Sequence, residues 1–503
     1  MPRLLLLAVL LTACGGGSRY APTPAPPPVA DGLVRITLLH INDVYEITPI
    51  EGGRTGGLAR VATLHRQLQA RNPNTLFTLG GDFFSPSALG TALVDGERLG
   101  GRQMVAVLNA AGLDLAVYGN HEFDLRGAEF FQRLAESHFD YLGTNVTDSL
   151  GRMFPNTTRH RIIRYDGANG QRVAVGVIGA VIPDNPQPYV RYQPWFESMR
   201  DQARLLRDSV DILIGLTHLG LQQDARLAEE IPELDLIVGG HEHENWVMRR
   251  GPRLIPIVKA DANVRTVAVV ELAWDPATRR VRIDPRIVGI GDTIAEEPAV
   301  AAEVRRWTER GYAGFRAQGF EPDRVVTRTD VALDGLEAST RNRPTNLSAL
   351  IAAGFFAEAG DVDLALVNTG SIRIDDELPP GPVTEYDLIR VLPFGGQVVT
   401  VTLTGALLRR VLDQGEANRG SGGYLAHHRV TRGTDGGWLV GGAPLDDTRT
   451  YRVALSDFLV SGRERGLDYL SPANAELRMI RELRDVRLAL KDEMVRRWGA
   501  APR

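Results

Sequence analysis

The 503-residue chain has one cysteine, Cys14, and only two lysines, Lys259 and Lys491, among its 57 basic residues. A lone cysteine excludes an intramolecular disulfide and a cysteine-ligated metal centre, so His, Asp, Asn or Tyr would have to hold any metal. Positive charge is not in excess either. The net charge is −5, which argues against a nucleic-acid polymer as partner, because such binders carry a basic face. A membrane-length apolar run is also missing, which excludes a polytopic membrane protein. What remains is ordinary globular material, 43% hydrophobic and 24% charged, long enough for two or three domains. The dominance of arginine over lysine reads as genome composition.

The N-terminus reads as a targeting segment. Arg3 precedes an apolar run, Leu4 to Leu11, which as a helix would reach about 12 Å against a bilayer core of about 30 Å. Leu11-Thr12-Ala13-Cys14 resembles a bacterial lipobox, implying acylation of Cys14 and a lipid anchor in a bacterial membrane, facing the periplasm or the cell surface. Gly15 to Ala30 is rich in Gly and Pro, a spacer without core-forming residues. The expected organisation is a signal peptide over 1–13, a tether over 14–32, a first domain over 33–295, a helical linker over 296–322 and a second domain over 323–503.

From Leu33 onward β-rich runs alternate with helical periodicity, which predicts a layered α/β fold. Strands are expected at Ile36–Ile41, Thr75–Leu79, Leu113–Tyr118, Val173–Val181, Asp211–Leu216 and Leu234–Val238, with helices over Leu58–Gln69 and Gly127–Ala135. Five of these strands run into a polar motif: Asn42-Asp43, Gly80-Gly81-Asp82, Gly119-Asn120-His121-Glu122, Thr217-His218 and Gly239-Gly240-His241-Glu242-His243. An Asp after a strand is usually a turn or a cap, and a lone Gly-Asn-His is usually a turn. Five such endings in one order would collect at one edge of a sheet, where open α/β folds place their ligand sites. Two divalent cations need a bridging carboxylate, and Asp82 stands in the middle of the set. One cation would take Asp43, Asp82 and His243, and the other Asp82, Asn120, His218 and His241.

These motifs resemble the calcineurin-like metallophosphoesterases. More narrowly, Asn120-His121-Glu122-Phe123-Asp124 and the motifs of the second half are similar to the 5′-nucleotidase family, which includes UDP-sugar hydrolases. The resemblance implies a four-layered α/β-β-α metallophosphatase domain, joined by a helical linker to a smaller mixed α/β substrate domain. It also implies two divalent metal ions (Zn, Mn or Fe) and a catalytic dyad of His121 and Asp124. Capping of the helix that follows is the competing role for Asp124. Where the family has Asp-x-His, this chain has Asp43-Val44-Tyr45. Tyr45 is read as a pocket residue, with ligation as a phenolate the alternative. Where the family often has Gln or Asn, His243 supplies an imidazole.

In the second domain the resemblance implies substrate contacts from Arg341, Asn368, Arg373 and Gly422, with Arg341 ahead of an amphipathic helix that begins at Asn346. Guanidinium groups grip phosphate oxygens bidentately. Phe394 and Phe458 match the two aromatics that stack on a base. The family's Gly-Gly-Asp-Gly, whose Asp reads ribose, is replaced here by Gly462-Arg463-Glu464-Arg465-Gly466-Leu467-Asp468. Glu464 and Asp468 are its candidate substitutes. Gly396 stands where some members have a base-reading Asn. The expected activity is hydrolysis of an extracytoplasmic nucleoside monophosphate. The alternatives are a 2′,3′-cyclic-nucleotide or UDP-sugar phosphodiesterase on the same metals, or a non-catalytic nucleotide-binding lipoprotein. No obligate protein partner is evident.

Overall fold

In the computed structural model, residues 31–167 and 170–501 are described. The signal peptide, Cys14 and nearly all of the tether therefore lie outside the described residues. Among the described residues, no helix is long and apolar enough to cross a membrane.

The first domain is built on two facing sheets. One has seven strands in the order Arg280–Gly289, Thr266–Asp275, Val34–Ile41, Thr75–Leu79, Leu115–Val117, Asp140–Leu142 and Thr157–Thr158. The other has six, in the order Trp246–Arg250, Ile255–Lys259, Leu236–Gly239, Ile212–His218, Arg172–Val181 and His160–Asp166. Alternation along the first sheet points Val34, Ile36 and Leu38 inward. There they meet Val173, Val175, Val177, Ile212, Ile214 and Leu216 of the second sheet. Each such buried aliphatic contributes about 1.5–3 kcal/mol, which makes this inter-sheet layer the spine of the domain. Because both faces of each sheet are covered, the central strands are buried along nearly their whole length, as in Val34–Ile41, where only Arg35 is exposed, and Ile212–His218. Helices Leu58–Arg71, Arg102–Ala111, Gly127–Glu136 and Pro298–Ala317 cover the outer face of the first sheet. Helices Trp195–Leu206 and Leu221–Glu230 cover the second. The result is the four-layered α/β-β-α arrangement.

The charged helix Pro298–Ala317 is capped by the Glu297 carboxylate, which accepts the Val300 N–H at 2.8 Å. It does more than connect. Val300, Val304, Trp307 and Phe315 are buried in the core of the first domain. The second, smaller domain centres on a five-stranded sheet ordered Leu425–His428, Leu364–Asn368, Thr450–Ser456, Gln397–Thr404 and Leu477–Asp485. Helices Asn346–Ala359 and Val486–Trp498 pack on one face, and Gly405–Ala417 on the other. The helix opening at Asn346 is not amphipathic as expected. Leu347, Leu350, Ile351, Ala352, Gly354 and Phe355 bury most of its circumference, because it lies between the sheet and Val486–Trp498.

Candidate metal and substrate site

Parallel pairing of Val34–Ile41 with Thr75–Leu79, and of the latter with Leu115–Val117, aligns their C-terminal ends at one edge. Parallel pairing of Ile212–His218 with Leu236–Gly239 does the same in the facing sheet. The loops leaving these ends carry Asp43, Asp82, Asn120, His241 and His243, and His218 is the last residue of its strand. Asp43, Asp82 and His218 are buried and offer ligand atoms within 4.8 Å of one another. His218 Nε2 lies 3.2 Å from Asp82 Oδ2 and 3.1 Å from Asn120 Oδ1. His243 Nε2 lies 3.7 Å from Asp43 Oδ1, and the His241 ring sits 5.2 Å from that of His218. Tyr45 points into the cluster, its hydroxyl 3.5 Å from both Asp43 Oδ1 and Asp82 Oδ2 and 3.1 Å from His243 Nε2.

The backbone here is held in unusual conformations. Asp43, Asp82 and His241 have φ of 52°, 57° and 85°, a left-handed region that non-glycine residues rarely occupy and that persists where the surroundings over-determine it. Glu122 is one reason. Its buried carboxylate accepts the N–H groups of Asp82, Phe83, Phe84 and Gly119 at 2.5–3.0 Å, tying two of the loops together. Lys259 is another. This lysine is fully buried among Asp224, Glu242 and the carbonyls of Leu219 and Gly240, and so anchors the His241–His243 loop. Close approach requires glycine at two positions. A Cβ on Gly119 would overlap the Asp82 carboxylate, and one on Gly240 would come within 2.7 Å of Asp43 Oδ2.

His121 and Asp124 stand beside this cluster, with His121 Nδ1 2.7 Å from Asp124 Oδ2. Asp124 does not cap the following helix, whose N-cap is Arg126. Instead it also accepts from Ser85 Oγ at 2.9 Å and Asn185 Nδ2 at 2.8 Å. Both members of the pair line a cavity of about 750 Å³ between the domains.

The second domain gives that cavity Asn368, Arg373, Phe394, Gly422, Phe458, Arg463 and Glu464. Phe394 and Phe458 expose 55% and 37% of their surface, unusual for phenylalanine and open to a flat ligand. Asn368 and Glu464 are bonded to each other at 2.9 Å. Gly422 meets Gly370 backbone to backbone, and the Gly370 N–H donates to its carbonyl at 2.7 Å. Arg341 does not line the cavity. It is ion-paired with Glu337, within electrostatic reach of Arg373 and Tyr45. Asp468 is exposed and lies outside the cavity.

Sequence reasoning assigned no role to Glu122, Ser85, Asn185, Lys259 or Asp375. Only two carried a signal. Glu122 sits inside a quoted motif, and Lys259 is one of two lysines. Asp375, 2.8 Å from His243 Nδ1, comes from the second domain, which nothing in the sequence joins to the closing motif of the first.

Both the sequence and the fold have counterparts among known proteins. Residues 36–245 match the calcineurin-like phosphoesterase family, and residues 325–470 match the 5′-nucleotidase C-terminal domain. Snake venom 5′-nucleotidase of Naja atra is 28% identical over 437 residues, covering 78% of this chain and 80% of that protein. The structure of a 5′-nucleotidase precursor from Thermus thermophilus superposes with TM-score 0.74 at 23% identity, covering 93% of this chain and 98% of the other. Sulfate thiohydrolase SoxB of Thermus thermophilus does so with TM-score 0.68 at 19% identity, covering 93% and 95%. By fold and by sequence the chain is a calcineurin-like phosphoesterase, a phosphoester hydrolase. It belongs to the 5′-nucleotidase family, in which that domain is followed by the 5′-nucleotidase C-terminal domain.

Calcineurin-like phosphoesterases use divalent metals, and the donor set here suits them. Oxygen and imidazole nitrogen donors, without thiolate, fit Mn, Fe or Zn. The electrostatics agree. Burial works against charged imidazoles, yet Asp82 lifts His218 to a pKa of about 9, and Glu337, Asp375 and Asp43 lift His243 to about 10. His241 goes the other way, pushed down to about 3 by burial and by the neighbouring His218, so the buried carboxylates favour positive charge at two of the three imidazoles.

Proposed function

We propose that the protein hydrolyses the phosphate monoester of a nucleoside 5′-monophosphate, giving nucleoside and phosphate. The observation that carries this reading is that His121, Asp124, Arg373, Phe394 and Phe458 face one cavity beside the carboxylate–imidazole cluster. In this reading Asp43, Asp82 and His243, with Tyr45 beside them, hold one cation. Asp82, Asn120, His218 and His241 hold the other. When bound, such a pair lowers the pKa of a water and neutralises charge on the transferring phosphoryl group.

The chain's own residues do the rest. His121 bonds to Asp124 through Nδ1, which fixes the ring and leaves Nε2 for a phosphoryl oxygen. Burial opposes a charge on His121, but Asp124 and Asp82 outweigh it and raise its pKa, favouring the imidazolium that stabilises developing negative charge. Arg373, which lines the cavity, supplies a guanidinium group for the phosphate, while Arg341, held by Glu337 outside the cavity, contributes its charge from behind. The base stacks between Phe394 and Phe458. The same reading puts the enzyme outside the cytoplasm, held at a membrane by a lipid on Cys14.

Glu464, in the place of the ribose-reading Asp, is occupied by Asn368, and this favours a relaxed reading of sugar and base. Phosphate release from AMP, UMP, UDP-glucose, 2′,3′-cyclic AMP and bis-p-nitrophenyl phosphate, with Zn, Mn or Fe loaded in parallel, tests the proposal. Release from the monophosphates, lost in Asp82→Asn and His121→Ala, is the expected result. Turnover of diesters or nucleotide sugar alone would overturn the substrate, and AMP binding without turnover would overturn the activity.

A further inference from the structure

The imidazoles of the cluster are not oriented alike. His218 points Nδ1 at the Gly80 carbonyl, 2.7 Å away, a backbone group of its own domain. His243 points Nδ1 at Asp375 Oδ2, 2.8 Å away, and Asp375 belongs to the second domain. The nitrogen that faces Asp43 and Tyr45 is then Nε2.

Asp375 is itself held on every side. Its other carboxylate oxygen accepts the Glu337 N–H at 2.8 Å, and its carbonyl accepts from the Arg265 guanidinium of the first domain. Its φ is 42°, again in the left-handed region. The adjoining Asp376 accepts from Arg390 at 2.6 Å. Arg390 reaches the Glu46 carboxylate of the first domain at 3.4 Å, and Tyr386 donates to the same carboxylate at 3.2 Å. Polar contacts from Arg265 and Glu46 thus pin the surroundings of Asp375 to the first domain, besides its own bond to His243.

A histidine that binds a cation through one ring nitrogen commonly gives the other N–H to a carboxylate, which fixes its tautomer and ring plane. We propose that Asp375 is a positioning residue for His243. The second domain supplies the carboxylate that sets an imidazole of the first domain for cation binding, so one of the two cation positions is complete only while the domains are docked as here. The inference rests on the cation-binding reading above. It adds a linkage: occupancy of the Asp43–His243 position and docking of the domains favour each other by the same free energy. It also assigns Tyr45 a part. With Nδ1 held by Asp375, Nε2 is the nitrogen that would meet the cation, and the Tyr45 hydroxyl 3.1 Å from it stands at that place here.

The test is a Mn(II) titration of the metal-stripped full chain against a competing fluorescent chelator, for wild type, Asp375→Ala and Asp375→Asn. Asparagine tolerates the left-handed backbone. Its single oxygen can serve the Glu337 N–H or His243 but not both. Wild type is expected to bind two cations. Both variants should keep one position at wild-type affinity and weaken the other roughly 10- to 100-fold, with kcat restored at saturating metal. Two positions of wild-type affinity in either variant would overturn the inference. So would equal weakening of both, which a merely structural role would produce. If the alanine variant fails to fold, the asparagine variant gives the same reading. A wild type that binds no cation would refute the metal reading itself, a result distinct from either.

Discussion

The two walls of the cavity are built on different principles. On the first-domain side, loops leaving parallel strands bring His121 and Asp124 to the cavity and, behind them, a cluster of buried carboxylates and imidazoles on left-handed backbone whose side chains hold one another at hydrogen-bond distance. The second-domain wall presents half-exposed phenyl rings and arginines on loops between less regular elements. The first wall concentrates charge and admits no slack. The second offers area and can change its residues without changing the fold. This contrast predicts a rigid chemical centre served by an adaptable recognition surface.

The strongest way to break the contrast is Asp82→Asn. Asp82 is buried and contacts both His218 and the His121 N–H, which leaves it no room to rearrange. Phosphate release should fall roughly a thousandfold, the several kcal/mol that a bound cation contributes, with retained fold by circular dichroism. A loss below tenfold would mean that the centre is as adaptable as the opposite wall. Next, His121→Ala should cost about a hundredfold in kcat with little change in KM, because in the proposed function the ring meets the phosphoryl group and not the base.

Lys259→Met tests how the first wall is kept rigid. Lys259 is buried with Asp224 and Glu242 around it, and its removal leaves both carboxylates without their partner. The expected cost is about 3–5 kcal/mol in urea unfolding. An unchanged denaturation midpoint would show that the His241–His243 loop is held by other contacts.

The same contrast explains how much was legible in the sequence. At the strand ends each polar ending is common by itself, but five in one order are not, and parallel strand order brings them together without further information. Asp43, Asp82, Asn120, His218, His241 and His243 could therefore be grouped from spacing alone. The left-handed backbone at three of them could not, since it arises from contacts such as those of Glu122, forty residues from Asp82. In the second domain Phe394, Phe458 and Arg373 could be found only through a family resemblance, because isolated aromatics and arginines are common in any chain. The helix from Asn346 misled for a related reason. Its apolar residues look like one face in sequence, but two neighbours bury it from opposite sides. Asp375 was invisible because its partner is 132 residues away in another domain.

Smaller effects should come from the recognition wall. Phe394→Ala removes one stacking face, worth about 1–3 kcal/mol per base. KM for AMP should rise while kcat, and turnover of p-nitrophenyl phosphate, stay near wild type. A matching loss on p-nitrophenyl phosphate would place Phe394 in the chemistry instead of in recognition.

The smallest expected effect separates Glu464 from Asp468, the two stand-ins for a ribose-reading aspartate. Glu464 lines the cavity and holds Asn368 at 2.9 Å, whereas Asp468 is exposed and outside it. Asp468→Ala should leave kcat/KM for every nucleotide within about twofold, as surface changes away from such features usually do. Glu464→Ala frees the Asn368 amide and opens space beside Gly423, so its effect should depend on the sugar and differ between AMP and its 2′-deoxy form. If Asp468→Ala were the variant to change that ratio, the loop Gly462–Asp468 would have to rearrange when substrate binds. The recognition wall would then owe its selectivity to movement and not to the residues that line it here.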